Sequence, residues 1–169
     1  MNLYFRLLKL LLQRLLKPKR MGLLDVSTIH GRVWLNDLDN NIHMNNGRYL
    51  TLMDLGRLDL ILCAGLLGTC LRKRWFPVVG ALKILYLRPL APFQKFELKT
   101  RIIGWDAKWL YLEQWFEVDG KLCAKAHLQG LFKGPNGKVE MKELLEATGM
   151  KKRSPKLPAD VRNWLRSSR

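Results

Sequence analysis

Four strand-like runs that follow one long apolar helical segment constrain the fold of this chain more than any other feature. The runs span residues 78–87, 96–103, 109–118 and 122–133. In the second run, Phe96, Leu98 and Thr100 alternate with charged residues, as expected of a half-buried strand. Asp119-Gly120 lies between the third and fourth runs and predicts a tight hairpin. Because successive strands joined by short turns pair antiparallel, we expect one antiparallel sheet.

The helical segment covers residues 49–62 and is apolar on most of its surface. One stripe consists of Tyr49, Leu52, Met53, Gly56, Leu60, Cys63 and Ala64. This pattern predicts a central and largely buried helix. A short apolar run, residues 31–35, precedes it as a strand, and residues 140–148 are expected to form a terminal surface helix. The order of elements predicts an α+β fold, an antiparallel sheet wrapped around a long central helix.

The segment that joins the first strand to this helix, residues 39–49, concentrates polar groups where a helix begins. A helix N-terminus has unpaired N–H groups and a positive dipole end, which can hold an oxyanion. Asp39 is therefore a candidate nucleophile or general base, and the sequence leaves both roles open. Asn41 and His43 could orient water or bind a substrate carbonyl.

The start of the helix supplies the candidate oxyanion donors, which are the backbone N–H groups of Asn46, Gly47 and Arg48. Asn45 and Asn46 are expected to cap the helix, because Asn is a favoured capping residue. Asp37 could raise the pKa of Asp39 or serve the turn, and we favour the turn.

The spacing Asp39-x-Asn41-x-His43-x-Asn45-Asn46-x-x-Tyr49 resembles the active-site signature of the hotdog-fold acyl thioesterases. Further segments are similar to the thioesterase superfamily member 6-like branch: 48–50, 54–59, 104–106 and 111–114. The resemblance implies the hotdog fold, a catalytic Asp39, an acyl-CoA or acyl-carrier-protein substrate and no metal or bound cofactor. It also implies a homodimer or tetramer whose active sites are completed at a subunit interface. Among the residues further along, we expect Tyr49, Met53 and Glu113 to contact the substrate.

The net charge of +16 is concentrated at the two ends of the chain. Residues 1–20 hold six Lys/Arg and no acidic residue, and residues 150–169 hold seven with only Asp160. The sequence is therefore divided into a basic N-terminal helix at 1–20, a hotdog domain at 21–149 and a basic tail at 150–169. Basic ends of this kind fit an anionic membrane surface or an acidic carrier protein. No nucleic-acid-binding signature is present, and we expect no nucleic-acid partner.

Residues 3–16 predict an amphipathic helix in which Arg6, Lys9 and Gln13 share a polar arc opposite a leucine face. Two interpretations remain open, attachment to an anionic membrane surface and packing on the body, and we favour the membrane. No window is long and apolar enough to span a bilayer, and no secretory signal is evident, so we expect a cytoplasmic protein that is peripheral on the membrane. Residues 151–158 are expected to form a solvated linker before a frayed tail.

Two other functions compete with thioester hydrolysis. A hotdog hydratase is disfavoured because its Asp-x-Asn-Pro-x-His pattern lacks the proline here and the histidine comes one residue early, at His43. A non-catalytic lipid-binding or acyl-binding protein on the membrane is the more serious alternative, given the N-terminal helix. The three cysteines have no metal-ligand or catalytic spacing, and we expect buried, reduced thiols. The three histidines are too dispersed to predict a metal site.

Overall fold

The computed structural model describes residues 3–149 and 153–167. Its helices are α1 (Leu3–Leu16), α2 (Asn46–Cys63), α3 (Leu67–Lys73), α4 (Met141–Ala147) and α5 (Ala159–Ser167). Its strands are β1 (Ser27–Arg32), β2 (Phe76–Tyr86), β3 (Lys95–Trp105), β4 (Leu110–Val118), β5 (Lys121–Gly134) and β6 (Gly137–Lys138). A short 3₁₀ helix, Leu35–Asp37, lies between β1 and α2. The predicted four strands, long helix and terminal helix are all present.

The strands form one antiparallel sheet in the order β1-β3-β4-β5-β2, with β6 paired to β5. Asp119 and Gly120 join β4 to β5 with positive φ angles of 48° and 73°, which confirms the predicted hairpin turn. β1 and β2 occupy the two ends of this order, so each has one unpaired edge among the described residues. The architecture is the α+β hotdog arrangement that the sequence predicted.

The first strand lies earlier in the chain than the predicted residues 31–35. The backbone N–H of Trp34 donates to the Asp37 carboxylate (2.9 Å), and this bond folds the chain into the 3₁₀ turn. The turn ends the strand at Arg32 and gives Asp37 the structural role that we favoured. Helix α3 and the short strand β6 were not predicted.

Helix α2 packs against the sheet at Gly56, where only glycine fits. A Cβ at this position would lie 2.6 Å from Oγ1 of Thr100 and 3.0 Å from Nε2 of Gln114. The fully buried Gln114 side chain donates from Nε2 to the Met53 carbonyl (3.0 Å) and to Thr100 Oγ1 (2.9 Å). Its carbonyl oxygen accepts from Arg57 (2.8 Å). Every polar atom of this amide is thereby paired in the core, as a buried polar side chain requires.

Helix α1 packs on α2 through the side of the helix that holds Arg6, Leu10 and Arg14. Leu10 is buried, and Arg14 binds Asp59 of α2 through two hydrogen bonds, 2.5 and 2.8 Å long. The predicted solvent-facing polar arc is therefore partly wrong, because Arg6 is 8% exposed and pairs with Asp37. The other two members of the arc, Lys9 and Gln13, are exposed as predicted. The exposed apolar face of α1 consists of Tyr4, Phe5, Leu8, Leu12, Leu15 and Leu16. Within the described residues, no helix is both long and apolar enough to cross a membrane.

The C-terminal segment packs on the sheet. Val161 of α5 is 1% exposed and joins a cluster with Ile103 and Tyr111. The Ser154 hydroxyl accepts a hydrogen bond from the Trp105 N–H (2.8 Å). The prediction of a frayed tail is therefore wrong for residues 153–167, because the apolar side chains at helical spacing pack against the sheet. Residues 151 and 152 of the expected linker lie outside the described residues.

Candidate active site

The loop between the 3₁₀ helix and α2 is a compact hairpin-like turn. Leu38 and Met44 form an isolated antiparallel bridge, and the Asp39 N–H donates to the His43 carbonyl (2.9 Å). Ile42, at the tip, has a φ of +59°. A β-branched residue rarely adopts this conformation, so backbone strain is concentrated in this loop. The Met44 N–H donates to the Leu90 carbonyl (2.9 Å) and fixes the loop to the body.

Asp39 is half-buried, and its carboxylate is held from one side only. Oδ1 accepts the backbone N–H of Asn41 at 2.8 Å and that of His43 at 3.4 Å. Oδ2 accepts no hydrogen bond from any described residue, so it is available to a reactant. The predicted trio of Asp39, Asn41 and His43 is brought together, but Asn41 and His43 contact the carboxylate through their backbones. The side chains of Asn41 and His43 are exposed.

The start of α2 is capped by Asn45, as predicted. The Gly47 N–H donates to Asn45 Oδ1 (2.8 Å), and the Arg48 N–H donates to the Asn45 carbonyl (2.8 Å). Two of the three predicted oxyanion donors are therefore already engaged in the cap. The N–H of Asn46 has no acceptor among the described residues, and it is the donor that remains for a ligand.

The side chain of Arg48 points to a second acid, Asp37, and not to the loop opening. Asp37 is fully buried, and its Oδ1 accepts from Nε (3.0 Å) and Nη2 (2.8 Å) of Arg48. Its Oδ2 accepts from Arg6 of α1. One buried carboxylate thus joins α1, the 3₁₀ turn and α2, and fixes the base on which the Asp39 loop lies.

Tyr49 and Met53 are core residues, with 2% and 0% of their surfaces exposed. Burial raises the pKa of Tyr49 to about 12, and its ring lies 5.2 Å from that of Tyr86 and 5.0 Å from that of Phe116. The Tyr86 hydroxyl donates to the Asn46 carbonyl (3.1 Å), which connects the end of β2 to the start of α2. Tyr49 and Met53 pack in the core beneath the start of α2. Neither lines the two cavities described below, so the predicted contact of these residues with substrate has no support from the cavities.

An apolar cavity of about 320 Å³ lies between the C-terminal half of α2, α3 and the sheet. Its wall includes Ile61, Trp75, Val79 and Leu128, and its only charged residues are Asp54 and Arg57. Leu60 of α2 lines this cavity, whereas Leu52 of the same helix lines a different one. Arg57 lies eleven residues after Asn46, a rise of roughly 16 Å along α2. The cavity and the Asp39 loop therefore lie at opposite ends of α2.

Glu113 does not face this cavity, which corrects the predicted substrate contact. Alternation along β4 directs Gln114 towards α2 and Glu113 to the opposite side of the sheet. There Glu113 is 3% exposed and binds Arg101 (2.7 Å), Lys125 (2.6 Å) and His127 (3.2 Å). Burial alone would raise the pKa of Glu113, but the hydrogen bonds from His127, Lys125 and Arg101 outweigh it and lower this pKa to about 2. His127 is itself largely buried, with 9% of its surface exposed.

The three cysteines are buried, and none forms a disulfide bond within the described residues, as predicted. Burial raises the pKa of each thiol, so all three are protonated near neutral pH. Cys63 Sγ lies 3.8 Å from the Asp59 carboxylate, which also disfavours a thiolate. These residues are structural, and the Asp39 loop is the candidate site.

Comparison with known proteins identifies the family of this chain. The model of the thioesterase-like superfamily matches residues 33–165. Protein THEM6 of Danio rerio is 37% identical over 145 residues, which cover 82% of this chain and 68% of that protein. A probable thioesterase of Saccharomyces cerevisiae is 26% identical over 118 residues, covering 68% of this chain and 51% of that protein.

Solved structures confirm the fold. The probable thioesterase YbaW from Escherichia coli superposes with a TM-score of 0.66 at 21% identity, covering 71% of this chain and 94% of that one. The fold and the Asp39 loop define the class, a hotdog protein of the thioesterase type. The chain belongs to the thioesterase-like superfamily, and its similarity to the member 6-like branch is confirmed.

Proposed function

We propose that this protein hydrolyses acyl thioesters of coenzyme A or of an acyl-carrier protein, with Asp39 as the reacting carboxylate. The observation that carries the proposal is the carboxylate of Asp39, whose Oδ2 accepts no hydrogen bond from a described residue, in the loop that leads into the start of α2, where the Asn46 N–H also has no described partner. A carboxylate oxygen can attack or activate water, and a helix N-terminal N–H can stabilise the oxyanion that forms.

Two routes use the same groups. In the first, Asp39 attacks the thioester carbonyl, the C–S bond breaks to release the thiol, and water then hydrolyses the mixed anhydride. In the second, Asp39 takes a proton from water as that water attacks, and the collapsing tetrahedral intermediate releases the thiol and the acid. In both, Asn46 N–H donates to the carbonyl oxygen as its negative charge develops.

The apolar cavity beside α2 is the proposed acyl slot. Each methylene buried there contributes about 0.8 kcal/mol, so we expect a graded preference for chain length. Arg57, at the charged part of its wall, donates to Asp54 and Gln114. Burial lowers the pKa of Arg57.

Two copies of the chain, paired along β2, form the proposed active unit. The β2 edge is free in the described structure and carries exposed apolar residues, including Phe76, Val79 and Leu85. A long apolar edge of this kind invites strand pairing. Antiparallel pairing over the whole strand brings Tyr86 of one copy beside Phe76 of the other. The Asp39 loop, tied to Tyr86 through Asn46, then lies at the partner's apolar cavity, whose wall includes Val79.

Attachment to an anionic membrane surface through α1 is the remaining part of the proposal. It is supported by the six exposed apolar side chains of α1, of which Tyr4, Leu15 and Leu16 are at least 75% exposed. Basic residues flank this face, namely Lys9, Lys17, Lys19 and Arg20. Each cation near an anionic surface contributes about 1 kcal/mol to attachment.

The experiment that tests hydrolysis measures thiol release from short, medium and long acyl-CoAs and from an acyl-carrier protein. Asp39→Asn should lower turnover by about a hundredfold or more, because it removes the reacting carboxylate. Asp119→Asn, in the exposed β4–β5 turn where Asn tolerates the positive φ, is the matched control and should retain full turnover. Equal turnover by the wild type and Asp39→Asn excludes the role of Asp39. Absence of turnover on both carriers favours the acyl-binding alternative.

A further inference from the structure

A second cavity, of about 340 Å³, lies between α1 and β1, and no residue of the Asp39 loop lines it. Its polar wall is cationic and includes Arg6, Lys9, Arg32 and Lys95. Its floor is apolar and includes Leu10, Leu52 and Phe96, all of which are buried in the main core. No Asp or Glu belongs to its wall among the described residues. The cavity therefore offers positive charge at one side and hydrocarbon at the other.

Arg6 supplies the second observation. It is 8% exposed, and its Nη2 donates to Asp37 and to the Arg32 carbonyl (3.2 Å). Its Nε is buried and has no hydrogen-bond partner in the described part of the chain. A buried donor of a charged group is costly to leave unpaired, at about 1–3 kcal/mol or more. The unpaired Nε adds to the excess of positive charge at the Arg6 side of the cavity.

The local charge balance also favours an anion. Among the described residues, Asp37 is the only carboxylate that contacts Arg6, and it is shared with Arg48, so one negative charge meets two positive charges. Lys9, Arg32 and Lys95 add three more cations around the opening. The nearby Glu97 is paired with Lys99 (3.1 Å) and does not line the cavity.

We propose that this cavity binds one molecule of an anionic lipid, with its phosphate at the Arg6 side and the start of its acyl chain over the apolar floor. The amphipathic wall argues for a lipid, because a soluble anion would leave the floor of Leu10, Leu52 and Phe96 uncovered. Position argues likewise. At 100° per residue, Lys9 lies on the flank of α1 between Arg6 and the exposed apolar side chains, so the opening adjoins the face offered to a membrane.

This site is distinct from surface attachment, because it holds a single lipid in a defined cavity. It does not depend on thioester hydrolysis. Its test is therefore a binding measurement on the full chain, independent of turnover.

Isothermal titration calorimetry with oleoyl lysophosphatidic acid, kept below its micelle concentration, measures binding of a monomeric lipid. Lysophosphatidylcholine with the same chain tests the charge, and glycerol 3-phosphate tests the head group alone. We expect one lysophosphatidic acid per chain, bound at least tenfold more tightly than either control. If lysophosphatidylcholine binds as tightly as lysophosphatidic acid, the protein only adsorbs the acyl chain. If glycerol 3-phosphate binds as tightly, the cavity is a simple anion site. Either result overturns the proposal, as does a lack of saturable binding.

Variants locate the site. Lys9→Glu/Lys95→Glu reverses two cations of the wall without touching the Arg6–Asp37 pair, and should weaken lysophosphatidic acid binding at least tenfold. Lys121→Glu/Lys133→Glu makes the same charge change at exposed positions on β5 and should bind as the wild type does. Equal effects of the two pairs would show only a long-range charge effect. If Lys9→Glu/Lys95→Glu has no effect, the lipid binds at another cavity. Either of these two results contradicts the proposal.

Discussion

The Tyr86 hydroxyl donates a hydrogen bond to the backbone carbonyl of Asn46 (3.1 Å), and this bond ties the end of β2 to the start of α2. Because β2 is the last strand in the sheet order, the Asp39 loop lies at a margin of the sheet and not at its centre. The apolar cavity adjoins the other end of the same strand. Tyr86 and Val79 are separated by seven residues of strand, roughly 23 Å.

Subunit complementation tests whether the loop of one copy acts on the cavity of another. Asp39→Asn removes the carboxylate, and Ile61→Trp fills the cavity, so each variant alone should be nearly inactive. In an equal co-refolded mixture, half of the dimers are mixed, and each has one site with both parts intact. We expect roughly a quarter of wild-type thiol release, from the statistics of a two-fold symmetric dimer.

The same mixture remains inactive if each site is built within one chain. The interface itself is checked with Val79→Lys/Leu85→Lys, which should convert dimer to monomer in sedimentation equilibrium. Leu35→Lys, an exposed apolar position away from β2, should leave the dimer intact.

The buried ion pair between Arg14 and Asp59 should be a large contributor to the attachment of α1. Asp59 is fully buried, and within the described part of the chain its other hydrogen-bond donors are the Ser27 hydroxyl and the Cys63 thiol. Arg14→Leu leaves this carboxylate without a cation and should lower the free energy of unfolding by about 3–5 kcal/mol. Urea denaturation measures the change.

Lys73→Leu is the matched control, because it breaks the exposed Lys73–Glu143 pair and should cost no more than about 1 kcal/mol. The double variant Arg14→Leu/Asp59→Leu should recover much of the loss, since no buried charge remains. A double variant as unstable as Arg14→Leu would refute the uncompensated charge as the cause.

Glu113 should make the stability depend on acid. Its pKa is lowered from 4.5 to about 2 in the folded protein. The folded state thus favours the charged form, and this contribution is fully present above pH 4.5 and is lost as the pH falls towards 2. By linkage it amounts to up to about 3 kcal/mol at neutral pH.

Glu113→Gln should therefore lower the stability at pH 7 and flatten the pH dependence between about 4.5 and 2. Thermal unfolding of the wild type and the variant across this range measures both effects. Glu146→Gln on α4 serves as the control and should leave the profile unchanged. Identical profiles for the wild type and Glu113→Gln would rule out Glu113 as the source of the acid sensitivity.

The exposed face of α1 should determine vesicle binding. Leu12→Glu/Leu15→Glu places two charges on this face and should abolish co-sedimentation with vesicles that contain phosphatidylserine. Leu35→Glu/Phe93→Glu makes the same change at two exposed apolar positions of the body and should bind as the wild type does. If both pairs lose binding equally, the charge and not the helix face is responsible.

The local sequence was sufficient to predict the strands, the central helix and the Asn45 cap. Alternation identified β3, and the Asp119-Gly120 pair fixed the β4–β5 turn, because each depends on residues close together in the chain. The Asp39 loop was recognisable for the same reason, since its bonds to Asn41 and His43 span at most four residues.

The partners of the buried charges could not be read in this way. Arg6 and Arg14 look like the polar face of a surface helix, but they meet Asp37 and Asp59, which lie 31 and 45 residues away in the chain. Glu113 similarly reads as a solvated charge on an alternating strand until Arg101, Lys125 and His127 surround it. Periodicity shows which side chains share a face, but not which element packs against that face. The sequence by itself therefore determined most of the elements and the polar loop before α2. Only the tertiary structure decided which face of α1 is buried, because long-range ion pairs outweigh the preference of exposed cations for water.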